Sequence, residues 1–341
     1  MSIFPLTSRV SPVKTWTGTV YIRPDGSIDP PDAPIITYDK ATYTLTGDIR
    51  SPGDGIVIER DDIVLDGAGY TLEGMKKGTS GSGIKIEDRN NITLKNLNIK
   101  NFLFGLSLYK SNNIVVSRNT ISENNYGVQI KRSSGIDISG NTISKSYFGV
   151  HIFFSSDIDV SDNTISENQL GIYIEYSRDN VVYKNAFVRD GLCVWESYDN
   201  VVVGNTVNGR PLVYLEGVSD YTVKDAGQVI LIRCNSIRVE NLNLSRTDVG
   251  ITLYKTNNTV ISGNIISKND WLGVWIYRSS GNNVSDNTIS KNYLGVWIGW
   301  SSGIDIPDNI ISENNYGVYI FLSSGIDISG NTISELSLIH I

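Results

Sequence analysis

Gly127-Val-Gln-Ile-Lys-Arg-Ser-Ser-Gly-Ile-Asp-Ile-Ser-Gly-Asn-Thr-Ile-Ser144 decides the fold of this chain, because the stretch comes back almost verbatim along its length. Its glycine heads recur at Gly105, Gly127, Gly149 and Gly171, then at Gly250, Gly273, Gly295 and Gly317. Its asparagine recurs at Asn119, Asn141, Asn163, Asn185 and Asn205, then at Asn264, Asn287, Asn309 and Asn331. Most steps are 22 residues and a few are 20 or 23. A fixed period of this size marks a repeat architecture and has to be read first.

Within one period the apolar residues sit two apart: Val128 and Ile130, Ile136 and Ile138, then Ile143. That is strand periodicity, and the Ser, Asn and Gly residues between are turn formers. No stretch has a helical period. A leucine-rich repeat of similar length would need a dense leucine pattern, which this chain replaces with Ile, Val, Asn and Ser. Three short strands and three turns per period make one coil of a parallel β-helix, with coils ~4.8 Å apart. Counting Gly55, Gly83, Gly191, Gly209 and Gly227 as weaker heads gives about thirteen coils and a rod of roughly 60 Å. Parallel crossovers are right-handed. The expected fold is therefore all-β: a single right-handed parallel β-helix solenoid whose Ile and Val positions stack into one core. The asparagine column is expected to form a buried ladder between coils. The column Phe104, Tyr126, Phe148, Leu170, Leu272, Leu294, Tyr316 is expected to fill a corner of the core.

The chain has 341 residues, a net charge of −7 and 19% charged residues, with no long basic run, so the usual nucleic-acid footprint is missing. No apolar run is long enough for a membrane-spanning helix. Cys193 and Cys234 fall at different places in their repeats, so a disulfide between them is not favoured.

Residues 1–13 lack a full signal-peptide pattern and are read as a possible leader remnant. Residues 14–54 do not follow the repeat. Strands are expected at Thr15–Ile22 and Thr42–Leu45, and the segment reads as a small N-terminal β cap over the first coil. The β-helix then spans 55–335, with an insertion at Lys76–Ser82 and an irregular middle at 206–227. That middle, containing Asn208-Gly-Arg-Pro-Leu-Val-Tyr-Leu-Glu-Gly217, makes Arg210, Tyr214, Glu216, Asp220 and Asp225 candidates for function, or marks a changed coil shape. Residues 336–341 are what CTGTCTCTTATACACATC encodes, a sequencing-library transposon end. They are expected to be a read-through artefact, with the true protein continuing; His340 then carries no functional weight.

The Gly-Val-x-Ile…Ser-Ser-Gly-Ile-x-Ile…Asn-Thr-Ile-Ser repeats resemble the right-handed parallel β-helix repeat family of NosD-like periplasmic proteins and of carbohydrate-binding and sugar-hydrolysing proteins. The resemblance runs over roughly 55–335 and includes 64–74 (VLDGAGYTLEG) and 208–217. It implies an extracellular, cell-surface or periplasmic location. The scaffold hosts many activities, so chemistry has to be read from residues.

The NosD name implies copper, but the soft donors Cys193, Cys234, Met1, Met75, His151 and His340 show no ligand spacing. His151, alone on an outward position, reads as a solvated or stacked ring. The asparagines and the Thr-x-Ser column (Thr120/Ser122 onward) read as structural, with ordered water on the hydroxyls as the alternative. Glycoside hydrolysis needs two nearby carboxylates. Stacking supplies Asp137 with Asp159 and Asp305 with Asp327, although neither pair belongs to a catalytic motif. Repeated acidic turns also suit a loose Ca²⁺ site, the one cofactor the sequence leaves open.

Outward aromatics carry the functional expectation. After each Gly the outward column reads Thr252, Trp275, Trp297, Tyr319, with Tyr254, Tyr277 and Phe321 in the next column and Trp300 beyond. Such a strip suits sugar rings, a surface protein, or cross-strand packing that stabilises the sheet. The expectation is a non-enzymatic extracytoplasmic protein that binds a polysaccharide or surface partner through Tyr254, Trp275, Tyr277, Trp297, Trp300 and Tyr319. The alternative is a polysaccharide hydrolase or lyase on the same scaffold.

Overall fold

A computed structural model describes residues 15–75 and 78–336. Its elements are all strands, and they pair as coils of a right-handed parallel β-helix. The coil Tyr126–Lys131, Ser134–Ser139, Thr142–Ser144 lies in register under Phe148–Phe153, Ser156–Ser161, Thr164–Ser166. Val128, Ile130, Ile136, Ile138 and Ile143 are all buried, as the alternation requires. Glycine heads most coils because the coils touch there: a Cβ on Gly149 would lie 2.4 Å from the carbonyl oxygen of Gly171. Gly209 and Gly227, expected as weaker heads, are not heads, since Leu212 and Gln228 hold that place in register.

The asparagine column forms the expected ladder. Asn141 donates from its backbone N (2.8 Å) and Nδ2 (3.0 Å) to Asn163 Oδ1, and its Nδ2 also reaches Val116 O at 2.8 Å. Each amide thereby satisfies turn groups that burial would otherwise leave unpaired. In the corner column Leu170 and Leu272 are buried in the core as expected, whereas Leu294, Tyr316 and the rings of Phe104, Tyr126 and Phe148 are half-buried at its outer edge, the three rings in contact at 5.1 and 4.8 Å between centroids.

At the N-terminal end Val20–Ile22, Thr42–Leu45 and Ile49–Ser51 pair in parallel with Ile56–Ile58, Ile63–Asp66 and Thr71–Gly74, and so form a stacked coil themselves. Ile28–Asp29 and Ile35–Ile36 add short antiparallel strands at its edge. The expected strand at Thr15–Ile22 is two, Trp16–Thr17 and Val20–Ile22. The leader reading of 1–13 lies outside the described residues, as does most of the 336–341 segment.

The irregular middle is a corner. Thr206–Val207 pairs antiparallel with Arg210–Glu216 around Asn208-Gly209. Both turn residues have positive φ (51° and 79°), the type I′ hairpin that Asn-Gly favours. Arg210–Glu216 then starts a second stack, through Gln228–Ile232, Val249–Tyr254, Leu272–Tyr277, Leu294–Gly299 and Tyr316–Phe321. The solenoid is thus folded back on itself. Trp195 packs against Trp275, and the backbone N of Gly171 donates to Asp248 Oδ2 at 2.8 Å. All five residues of Gln228–Ile232 are buried, because its inward side chains join the second core while Ile230 and Ile232 join the first.

Candidate functional site

The fold-back sets the outer face of Leu192–Trp195 and its neighbours against the outer face of the second stack. Gln228 seals the last strand of the first stack. Its Oε1 accepts from Leu192 N (2.9 Å), and its Nε2 donates to Leu192 O (2.8 Å) and Val249 O (2.9 Å). One amide side chain thereby stands in for a missing neighbouring strand. At one side of the seam Glu196 accepts from Tyr254 Oη (2.6 Å) and Tyr277 Oη (2.9 Å) and pairs with Arg278 (3.0 Å).

At the other side, Asp190 Oδ2 accepts from Asn168 N (3.0 Å) and Nδ2 (2.7 Å), while Asp248 faces it from the second stack. Both residues are fully buried. Burial pushes Asp190 up to about 8 and raises Asp248 strongly, with the neighbouring Asp190 charge adding to the shift. Each leaves Oδ1 without a protein donor. Burial and mutual repulsion both favour the protonated form of this pair.

Burial falls away from the corner on both walls. In the second stack Thr252 and Trp275 are each 2% exposed, Trp297 is half-buried and Tyr319 is 40% exposed. In the first stack the column runs Cys193 buried, Tyr173 half-buried, His151 buried and Gln129 half-buried, so burial there is lost only beyond His151. The stacks are therefore tight at the corner and diverge beyond it into a cleft. Tyr147, Phe148, Tyr173, Trp271 and Tyr293 line an aromatic recess of about 480 Å³ between the stacks. Tyr293 also lines a charged recess of about 800 Å³ with Glu167, Arg189, Arg246, Lys268, Asp270, Lys291 and Glu313. Arg189 pairs with Glu167 (3.1 Å) and Lys291 with Glu313 (3.3 Å). Desolvation raises the Asp270 carboxyl, with the Arg189 guanidinium opposing.

The expected register is present: Thr252, Trp275, Trp297 and Tyr319 are partners on successive strands. The expected exposure is not. Tyr254, Trp275 and Tyr277 are buried in the seam, since the first stack covers them, and so cannot form an open strip. Trp300 and Tyr319 remain exposed, and Trp300 packs edge-on against Phe321. His151 is stacked between Phe148 and Tyr173 (5.1 and 5.3 Å). Burial lowers its pKa to about 4, so a neutral ring meets Glu175 at 3.2 Å.

Asp137 pairs in register with Asp159, and Asp305 with Asp327. Of the middle candidates, Tyr214 and Glu216 bond to each other (2.8 Å) beside the corner, and Arg210 lines a shallow recess there with Asn208 and Arg246. Arg189, Asp190, Arg246, Asp248, Lys268, Lys291 and Tyr293 were not singled out from sequence. A column-by-column reading of charge would have found the basic ones.

Fold and pairing define the class, a right-handed parallel β-helix built from a glycine-headed, asparagine-laddered repeat. More particularly, the chain belongs to the NosD family, described as "Periplasmic copper-binding protein (NosD)", whose model matches residues 32–190 and 188–337. No curated protein matches the chain. Solved structures similar to it include the A-module of an Azotobacter vinelandii mannuronan C-5 epimerase, at 15% identity over 96% of this chain and 87% of that one, TM-score 0.37. PfbA, a surface adhesin of Streptococcus pneumoniae, is 12% identical over 84% of this chain and 83% of that one, TM-score 0.38. The tailspike protein of E. coli bacteriophage HK620, in complex with a pentasaccharide, is 10% identical over 82% and 67%, TM-score 0.44. Likenesses this distant carry nothing about chemistry.

The copper in the family description does not fit the donors of this chain. Among the described residues no three His, Cys, Asp or Glu side chains gather into a metal-binding group. His151 and Cys193 stand two strands apart in one column, Cys234 bonds to the Leu215 carbonyl (3.3 Å), and Met75 is exposed elsewhere. Among the described residues no helix is long and apolar enough to cross a membrane.

Proposed function

We propose that the protein binds a polysaccharide, outside the cytoplasm, in the cleft where its two stacks diverge. The observation that carries this reading is the aromatic recess between the stacks, with Tyr147 and Tyr293 exposed at its mouth and Trp271 and Phe148 half-buried within it. Ring faces of this kind suit the apolar faces of sugars, and the adjoining polar groups suit hydroxyls. Trp297, Trp300 and Tyr319, the part of the expected strip that is not covered, extend the second wall away from the corner. The periplasmic description of the family supports the location.

The test is affinity electrophoresis through gels containing individual polysaccharides. The parent protein is retarded by at least one, and Tyr147→Ala with Tyr293→Ala abolishes the retardation without a change in Tm. Retardation that survives the double variant places binding elsewhere. Release of reducing ends or unsaturated products from the retained polysaccharide makes the protein an enzyme rather than a binding module.

A further inference from the structure

Which polysaccharides the cleft takes follows from one column of its charged recess. After the third strand of each coil one residue turns the chain in the left-handed region: Arg246 (φ 59°), Lys268 (59°), Lys291 (60°) and Glu313 (54°) in the second stack. Their amides bond the next coil, Arg246 N to Ser267 O (3.2 Å), Lys268 N to Ser290 O (3.0 Å) and Lys291 N to Ser312 O (3.3 Å). The three cations therefore rise one above another at the ~4.8 Å strand spacing. The same column in the first stack reads Glu123, Lys145, Glu167, Arg189, alternating in sign.

Alternation is what this spacing favours, because like charges side by side destabilise a sheet. The second stack departs from it with three consecutive cations, all lining the recess. Lys291 is matched by Glu313 and Arg189 by Glu167, but among the described residues Arg246 and Lys268 make no ion pair.

We infer that the cleft takes a linear acidic polysaccharide, with the acid groups of successive units on the Arg246, Lys268, Lys291 column and a sugar ring in the aromatic recess that shares Tyr293. The inference rests on the reading of the cleft as a glycan site. A repeating acid matches a repeating cation because both are set by a fixed step. The net charge of −7, with Glu167, Asp270 and Glu313 in the same recess, disfavours a polymer as densely charged as nucleic acid.

The experiment measures binding of the whole chain to polygalacturonate, alginate and a sulfated glycan, each beside its methyl-esterified or desulfated form, with single-stranded DNA as a further arm. At least one acidic polymer binds about tenfold or more tightly than its neutralised form, and the preference weakens with salt. Arg246→Glu with Lys268→Glu, both at exposed positions, removes that preference while Tm is unchanged. Equal binding of acidic and neutralised forms, or an unaffected double variant, overturns the charge assignment and leaves a neutral-glycan cleft standing. Binding to no polysaccharide overturns both readings, and DNA bound more tightly than every acidic glycan overturns the ligand class.

Discussion

Trp195 and Trp275, eighty residues apart in the chain, lie with ring centroids 5.0 Å apart across the seam between the two stacks. Their contact explains why large aromatics occupy outward positions near the corner: the surface they face is protein. Trp275→Ala should therefore behave as a core truncation and cost about 3–5 kcal/mol. Tyr319→Ala, in the same column but 40% exposed, should stay within about 1 kcal/mol. Urea denaturation of the two variants checks this; equal costs would mean that the seam is not packed as described.

Asp190 and Asp248 give the seam a pH dependence of defined sign. Burial raises both carboxyls above their unfolded values, so each favours its protonated form when folded. Their contribution is complete below the ordinary carboxylate range and is lost as pH rises towards about 8, the value for Asp190. Tm should fall between pH 5 and pH 9, and Asp248→Asn should flatten that fall. A parent protein more stable at pH 9 than at pH 5 would contradict the raised carboxyls.

Glu196 joins the stacks through two phenols and a guanidinium, and its side chain is only 15% exposed. Removing it strands the hydroxyls of Tyr254 and Tyr277. Glu196→Ala should cost about 2–4 kcal/mol, and Glu196→Gln, which keeps an acceptor, about half of that. Equilibrium unfolding at one pH measures both, and a silent Glu196→Ala would remove this contact from the account.

Asn163 tests the ladder. It donates to Ile138 O (2.7 Å) and Asn185 Oδ1 (3.0 Å) and accepts from Asn141 N (2.8 Å). Asn163→Ala should cost about 2–4 kcal/mol by leaving buried backbone groups unpaired. Thr164→Ala, next to it on the exposed face, should change little. Thermal melts of the pair decide it.

The coil, its register and the buried asparagine column were all legible in the sequence, because a 22-residue period turns distant residues into neighbours. The fold-back was not read, although its marks were present. Asn208-Gly209 is the strongest short hairpin signal, and Val229-Ile-Leu-Ile232 has no polar side for water. Both were absorbed into a coil of changed shape. Periodicity describes how each coil meets the next; it carries no information about a contact such as Trp195 with Trp275, which depends on the direction the chain takes after one turn. Half of the expected aromatic surface was lost to that contact, and the basic column lay unread because it is visible only when the two stacks are compared position by position.

Tyr147 and Tyr293 line one recess in the folded-back solenoid. They are 146 residues apart, between six and seven coils of 22, so in a straight rod they would stand about 30 Å apart. Spin labels on Tyr147→Cys and Tyr293→Cys, with the buried Cys193 and Cys234 unlabelled, report that distance by double electron–electron resonance. The account predicts a separation well short of the rod value and an intramolecular link by a short bis-maleimide. A separation of about 30 Å or more, with no link, would contradict it.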